Sequence, residues 1–130
     1  LPMVNQVELH PFFQQENALS LMREYGVQPM AWAPFAEGKH GIFTHPVLTK
    51  IGEKYGKGAG QVALRWNMQR GVVVIPKSTH RERMEQNIDV FDFSLTDEEM
   101  AAFEEAVAAF KQEMFDYFGA DACAAFGIEA

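Results

Sequence analysis

Two cations and a hydroxyl group follow the most apolar segment of the chain. Residues 72–75 are Val-Val-Val-Ile, Pro76 comes next, and Lys77, Ser78 and Arg83 lie just beyond it. Cations and hydroxyl donors bind a dianionic phosphate well, and the N-terminus of a following helix adds positive potential. Taken alone, Lys77 and Arg83 are more simply interpreted as the exposed surface charges that most such residues are.

Two further side chains on apolar segments are candidates for ligand contact. Gln6 lies inside a strand-like segment, where its amide needs a partner from the core or from a ligand. Trp32 lies in a second apolar segment, and taken alone it favours core packing. His10, which ends the first segment, fits a structural histidine at the end of a strand.

The spacing of the other reactive side chains argues against metal and thiol chemistry. His40, His45 and Glu53 are not spaced as metal ligands, and Cys123 is the single cysteine. An intrachain disulfide and a multi-cysteine zinc site are therefore excluded, which predicts a reducing, cytoplasmic location. The glycine-rich fingerprint of dinucleotide-binding Rossmann folds is absent from the sequence.

The composition is that of a globular protein with an uneven charge distribution. Of the 130 residues, 48% are hydrophobic and 22% charged, which excludes wholesale disorder. No apolar run approaches the roughly 18 residues of a membrane helix. Residues 1–91 contain ten Lys or Arg and eight Asp or Glu, for a net charge of +2. Residues 92–130 contain one Lys and ten Asp or Glu, for a net charge of −9. A basic nucleic-acid surface is therefore not expected, and the acidic tail is best interpreted as a solvated helix.

The elements that must position these residues alternate between strand and helix. Apolar alternation predicts a strand at 3–9, and a short apolar run closed by Pro34 predicts a second at 27–33. The unbroken apolar run predicts a third at 72–75, covered on both faces. Helical spacing predicts the intervening helices, which cover 16–25, 46–55, 61–70, 80–87 and 97 to about 118. The order predicts an α/β fold with parallel strands, although three strands are too few for a closed barrel.

Three segments together resemble the aldo-keto reductase family. They are 4–11 (VNQVELHP), 31–38 (AWAPFAEG) and 75–78 (IPKS), the last followed by Arg83, Gln86, Asn87 and Ile88. Segments 46–48 and 61–66 lie between them in the family's order. The resemblance implies a partial TIM (β/α)8 barrel, with about three C-terminal parallel strands and their helices in residues 1–105, and a divergent acidic and aromatic helical tail in 106–130. A complete barrel needs about 250 residues, so the chain and its start at Leu1 are expected to represent the C-terminal portion of a reductase.

The resemblance implies NADPH-dependent reduction of aldehydes and ketones to alcohols, with NADP(H) as the cofactor and a small carbonyl compound as the substrate. It assigns the adenosine 2′-phosphate to Lys77, Ser78 and Arg83, and the adenine to Gln86 and Asn87. For Gln86 the polarity of an exposed helix surface is an equal alternative, whereas Asn87 fits the family pattern better. It assigns the nicotinamide carboxamide to Gln6 and the nicotinamide ring to Trp32. The remaining cofactor positions are in the loop that crosses the pyrophosphate and in the turn after the third strand: Ala33, Phe35, Glu37 and Thr79.

The chain also departs from the family pattern. Ala33 lacks the hydroxyl of many relatives, and Glu37 is an anion near two phosphates, so we expect Glu37 to hold Lys39 as a clasp over the cofactor. No segment matches the family's catalytic Asp, Tyr, Lys and His, which predicts no catalytic residue in this chain and an isolated chain that is catalytically incomplete. A non-catalytic NADP-binding fragment and a self-associating partial barrel are the alternatives. Unpaired strand edges favour a homo-oligomer.

Overall fold

Among the residues that the structure describes, three parallel strands form one sheet. A computed structural model describes residues 1–104 and residues 108, 112, 116, 117 and 119. The strands are β1 (Val4–Glu8), β2 (Gln28–Trp32) and β3 (Val73–Val74), and β2 lies between the other two. In the register, Gln6 of β1 pairs with Met30, which in turn pairs with Val73 of β3.

Within residues 1–104, five helices and two short 3-10 turns connect and extend the strands. The helices are α1 (Glu16–Glu24), α2 (Pro46–Tyr55), α3 (Ala59–Gln69), α4 (Arg81–Ile88) and α5 (Asp97–Ala101), and the turns are Ala36–Gly38 and Ile42–Thr44. Parallel strands linked through helices confirm the predicted α/β fold. Among the described residues, no helix is both long and apolar enough to cross a membrane.

Local signals account for the helix ends that were predicted correctly. Pro46 stands at the first position of α2, and the imidazole of His45 accepts a hydrogen bond from the backbone N–H of Val47. Thr96 and Glu99 form the expected reciprocal capping box at the start of α5. The predicted continuation of that helix to about residue 118 falls largely outside the described residues.

Two helix starts differ from prediction. The side chain of Gln61 accepts the backbone N–H of Gly58, so α3 begins at Ala59, two residues before the predicted start. The predicted capping box between Thr79 and Glu82 is wrong, because α4 begins after His80 without a side-chain cap. Ser78 instead accepts the backbone N–H of His80 and thereby orders the turn before α4.

The helices cover one face of the sheet and form the core there. Leu9, Ala31 and Val72 extend from the three strand segments into a cluster with apolar residues of α1, α2 and α3. Trp66 of α3 stacks on Phe103, with ring centroids 5.0 Å apart, and both side chains are buried. This layer of helices fixes where the strand ends stand, and the loops that follow those ends carry the candidate site.

The opposite face of the sheet is open. Val73 is 42% exposed and Ile75 43% exposed, so the prediction that the third strand is covered on both faces is wrong for the described part of the chain. Side chains alternate between the two faces of a strand. Val72 therefore reaches the helix layer while Val73 lies on the face over which none of the described elements packs.

Candidate functional site

One cleft brings together six of the eleven side chains singled out in the sequence. Its volume is about 400 Å³, and it lies between the start of α3, the segment after β3 and helix α4. The six predicted residues that line it are Phe35, Lys77, Ser78, Arg83, Gln86 and Asn87. Its other walls are Phe43 and the backbone and side chains of residues 58–61. The volume is within the usual range for a small-molecule site.

The charge of the cleft is positive and uncompensated. Among the described residues, no Asp or Glu lines it, and neither Lys77 nor Arg83 forms an ion pair. The neighbouring Arg81 on the same helix does pair with a carboxylate, at 2.9 Å from Glu85. Two unpaired cations on one wall favour a ligand that carries concentrated negative charge.

A hydroxyl group and a helix start stand beside these cations. The Ser78 hydroxyl accepts the N–H of His80 at 3.0 Å and lies 3.3 Å from the same residue's carbonyl oxygen. Helix α4 starts at Arg81 with no side-chain cap. The positive end of its dipole therefore adds to the potential of Lys77 and Arg83. This donor set is suited to a phosphate group.

An aromatic wall forms the far side of the cleft. The rings of Phe35 and Phe43 lie 5.5 Å apart. A Cβ atom at Gly60 would stand 3.3 Å from Phe43 and 3.4 Å from Phe35, closer than most such contacts. Glycine at the start of α3 therefore lets both rings approach the helix. Sequence reasoning missed Phe43 and the contribution of the helix start, because Gly58-Ala59-Gly60 was interpreted as a break before the helix.

Gln6 and Trp32 lie on the open face of the sheet, outside the cleft lining. Trp32 is 39% exposed, which does not agree with the core packing that a lone tryptophan favours. The Gln6 amide donates to the sulfur of Met30 at 3.2 Å. Because a thioether is a weak acceptor, the amide retains capacity for a stronger partner.

The loop after β2 connects that face with the cleft and has unusual backbone geometry. Ala33, Ala36 and Glu37 have positive φ angles of 48°, 50° and 54°. Left-handed backbone at a residue other than glycine costs on the order of 1 kcal/mol, and such residues cluster at ligand-binding and catalytic sites. The strain therefore marks this loop as a candidate binding segment.

Glu37 forms an ion pair with Lys39 within this loop. Lys39 Nζ lies 2.6 Å from Glu37 Oε2, and both side chains are more than half exposed. The hydrogen bond and charge of Lys39 lower the pKa of Glu37, and the same contact raises the pKa of Lys39. The charge of Glu37 is thus paired with that of Lys39 within the loop. Thr79 is exposed beside Ser78 and does not line the cleft.

The remaining reactive groups form no second centre in the described part. His10 is buried at the end of β1, where its Nε2 atom lies 3.1 Å from Glu8, and burial lowers its pKa while Glu8 opposes that shift. The site of Cys123 lies outside the described residues. Within the described residues, no group of three or more His, Cys, Asp or Glu side chains could hold a metal ion.

Comparisons with known proteins point in one direction. The family model described as "Aldo/keto reductase family" matches residues 2–108. The chain is 45% identical to the 9,11-endoperoxide prostaglandin H2 reductase of Trypanosoma cruzi, over 80% of this chain and 37% of that protein. It is also 45% identical to the morphine 6-dehydrogenase of Pseudomonas putida, over 81% of this chain and 39% of that protein. The chain thus spans less than two-fifths of the length of these relatives.

Solved structures give the same relationship. Apo Gox0644 matches with a TM-score of 0.78 and 37% identity, over 82% of this chain and 38% of that one. A mutant of that protein solved with NADPH matches with a TM-score of 0.77, 37% identity and the same coverage of both chains. A Bombyx mori aldo-keto reductase solved with NADP matches with a TM-score of 0.74 and 40% identity, over 81% of this chain and 37% of that one.

Proposed function

The chain belongs to the aldo/keto reductase family, and from that membership we propose that it contributes the cofactor-binding part of an NADPH-dependent reductase of aldehydes and ketones. The observation that carries the proposal is the cleft, in which two unpaired cations, a hydroxyl and a helix start stand together. No carboxylate opposes them among the described lining residues. These groups fit the 2′-phosphate that distinguishes NADP(H) from NAD(H).

The adenosine end of the cofactor is assigned to the cleft. Lys77, Ser78 and Arg83 hold the 2′-phosphate, and Thr79 is placed beside them in the same turn. The amides of Gln86 and Asn87 line the cleft on α4 and both donate and accept hydrogen bonds, as an adenine edge requires. Relatives solved with NADPH and with NADP support NADP(H) as the cofactor.

The nicotinamide end is assigned to the open face of the sheet. Trp32 offers an exposed indole on which the ring can stack, and Gln6 offers an amide to the carboxamide. When bound, NADPH supplies the hydride. The strained loop with Ala33 and Phe35 lies along the pyrophosphate, where Ala33 can contribute only backbone groups. The Glu37–Lys39 pair closes over it as a clasp.

This chain offers no counterpart of the family's catalytic tyrosine, because no segment of the sequence matches it. A tyrosine that acts as a general acid must stand at the reacting carbonyl with a pKa lowered toward neutrality. Tyr55 instead donates to Glu99 at 2.7 Å, a contact that raises its pKa. We therefore expect this chain to bind cofactor without efficient turnover by itself.

A second candidate function is self-association through the open face. Exposed apolar side chains on that face include Val4, Trp32, Val73 and Ile75, and β1 and β3 each leave one strand edge unpaired in the described sheet. Edges and apolar faces of this kind promote pairing with another chain. Light scattering at high protein concentration tests the idea, and a monodisperse monomer would contradict it. The division of the chain into a barrel portion (1–105) and a tail (106–130) stays a prediction, and so does the cytoplasmic location.

Fluorescence titration with NADPH tests the cofactor proposal directly. The unmodified chain is expected to bind NADPH, and Lys77→Ala is expected to weaken binding by about tenfold, because it removes a charged contact to the phosphate. Equal binding by the two proteins would remove the phosphate site from the proposal. Robust reduction of a simple aldehyde by the purified chain would contradict the proposed lack of turnover.

A further inference from the structure

A buried glutamine joins the two walls of the cleft. Gln61, on the first turn of α3, is 8% exposed. Its Oε1 atom accepts the backbone N–H of Gly58 at 3.0 Å, so it caps its own helix. Its Nε2 atom donates to the carbonyl oxygens of Asp89 at 2.8 Å and Gln86 at 3.2 Å, so it also holds the end of α4.

Helix α4 depends on such polar contacts because it has almost no core packing. None of its eight residues is buried, all of them lying within the described part of the chain. Its apolar side chains Met84 and Ile88 are 50% and 71% exposed. A helix held by little apolar surface takes its position from the few hydrogen bonds at its ends. Here those bonds come from Gln61 and, beyond the helix, from Lys57.

Lys57 supports the same connection from outside the cleft. Its ammonium group lies 2.9 Å from a carboxylate oxygen of Asp89 and 2.8 Å from one of Asp92, and its side chain is 8% exposed. Gly52 makes this possible, since a Cβ atom there would clash with the carbonyl oxygen of Lys57. Lys57 does not line the cleft, so Gln61 is the member of the pair that also shapes it.

We infer that Gln61 is a positioning residue for the adenosine end of the cofactor. It sets the distance between the start of α3 and the end of α4, and so places Gln86 and Asn87 on one wall opposite the aromatic wall. Gln61 exerts this effect by holding the backbone of Gln86 and Asp89, and not by interacting with the charge of the ligand. It rests on the proposed function, because it concerns affinity for the ligand assigned to this cleft.

A matched control is present on the same helix. Gln69 ties α3 to the following segment in the same way, donating to the carbonyl of Leu95 at 3.0 Å and accepting its N–H at 2.7 Å. It lies more than two turns away and does not line the cleft. Replacing either glutamine with methionine keeps the length of the side chain and removes the hydrogen bonds, so a merely structural effect would appear in both variants.

The test uses the full chain and adenosine 2′,5′-bisphosphate as the probe, with calorimetry for affinity and amide hydrogen exchange without ligand. Gln61→Met is expected to weaken binding by about tenfold and to speed exchange in residues 84–89. Gln69→Met is expected to change affinity by no more than about twofold and to leave those amides unchanged. Gln61→Asn is too short by one methylene to keep both carbonyl contacts, and it serves as a second variant with the same expected loss if Gln61→Met does not fold.

Two results would overturn the inference. One is unchanged exchange in residues 84–89 of the Gln61 variants, and the other is faster exchange with unchanged affinity. If Lys77→Ala loses affinity while both Gln61 variants keep it, the proposed function stands and the positioning role falls. If the unmodified chain does not bind the probe, the proposed function falls and the role falls with it, and the exchange data then report only the structural tie.

Discussion

Replacing Arg83 with alanine removes one of the two unpaired cations of the cleft while leaving its helix intact. Arg83 is exposed and, within the described residues, makes no ion pair whose loss would disturb the fold. Alanine is also the best helix former, so α4 does not lose helix propensity. The change therefore tests binding of the 2′-phosphate with little effect on stability.

The expected magnitude follows from the type and exposure of the contact. A hydrogen bond to a charged group contributes about 1.5–3 kcal/mol, and the lower end applies because Arg83 is exposed to water. A loss of about 1.5 kcal/mol corresponds to roughly a tenfold rise in the Kd for NADPH. NADH has no 2′-phosphate, so its Kd is expected to stay unchanged. The preference for NADPH over NADH therefore falls by the same factor.

Arg81 supplies the control for this assay. It is on the same helix but its side chain is 90% exposed and pairs with Glu85 at i,i+4, a type of contact that contributes little. Calorimetric titration of Arg83→Ala and Arg81→Ala with both nucleotides is expected to show loss of NADPH preference in the first variant alone. An equal loss in both variants would show that general positive charge, and not a built phosphate site, attracts the nucleotide.

Three further predictions concern stability and pH. Hydrogen bonding to Lys57 lowers the pKa of Asp92 below its ordinary value of 3.8. The contribution of this ion pair to the free energy of unfolding is therefore complete above about pH 4, and it is lost as the pH falls through the pKa of folded Asp92. Urea unfolding across pH 2–6 is expected to show this acid dependence in the unmodified chain and to lack it in Lys57→Met. Phe103→Ala removes a fully buried ring stacked on Trp66 and is expected to lower the free energy of unfolding by about 3–5 kcal/mol in the same assay, and a loss below about 1 kcal/mol would contradict the packing. Thr96→Ala removes the cap of α5 and is expected to cost about 1 kcal/mol, with Thr49→Ala inside α2 as the comparison.

Much of the fold was predictable because its signals are short-range. Pro46 at the start of α2, the turn at Gly26 after α1 and the capping box of Thr96 and Glu99 each act within a few residues. The start of α3 was placed too late because glycines usually break a helix, whereas here the side chain of Gln61 caps the backbone at Gly58. The periodicity of apolar residues does not reveal a cap whose side chain belongs to the first turn of the helix itself.

The parts that escaped prediction depend on contacts between distant segments. Phe43 was not recognised as a wall of the cleft because nothing in its own neighbourhood indicates that it meets Phe35 and the start of α3. The apolar run 72–75 indicated a strand buried on both faces, but only Val73 and Val74 pair with β2, and Val73 is exposed. An apolar run indicates that its side chains favour burial, but it does not indicate which element packs over them.

The two ends of the proposed cofactor site place different demands on the protein. The cleft is built mainly from residues 58–61 and 77–87, and Gln61 ties these two segments together through the carbonyls of Gln86 and Asp89. The nicotinamide side relies on Gln6 and Trp32, which stand on a sheet face that the described elements leave open. Affinity for adenosine 2′,5′-bisphosphate therefore reports on the cleft alone. The additional affinity for NADPH measures how well that open face receives the other half of the cofactor.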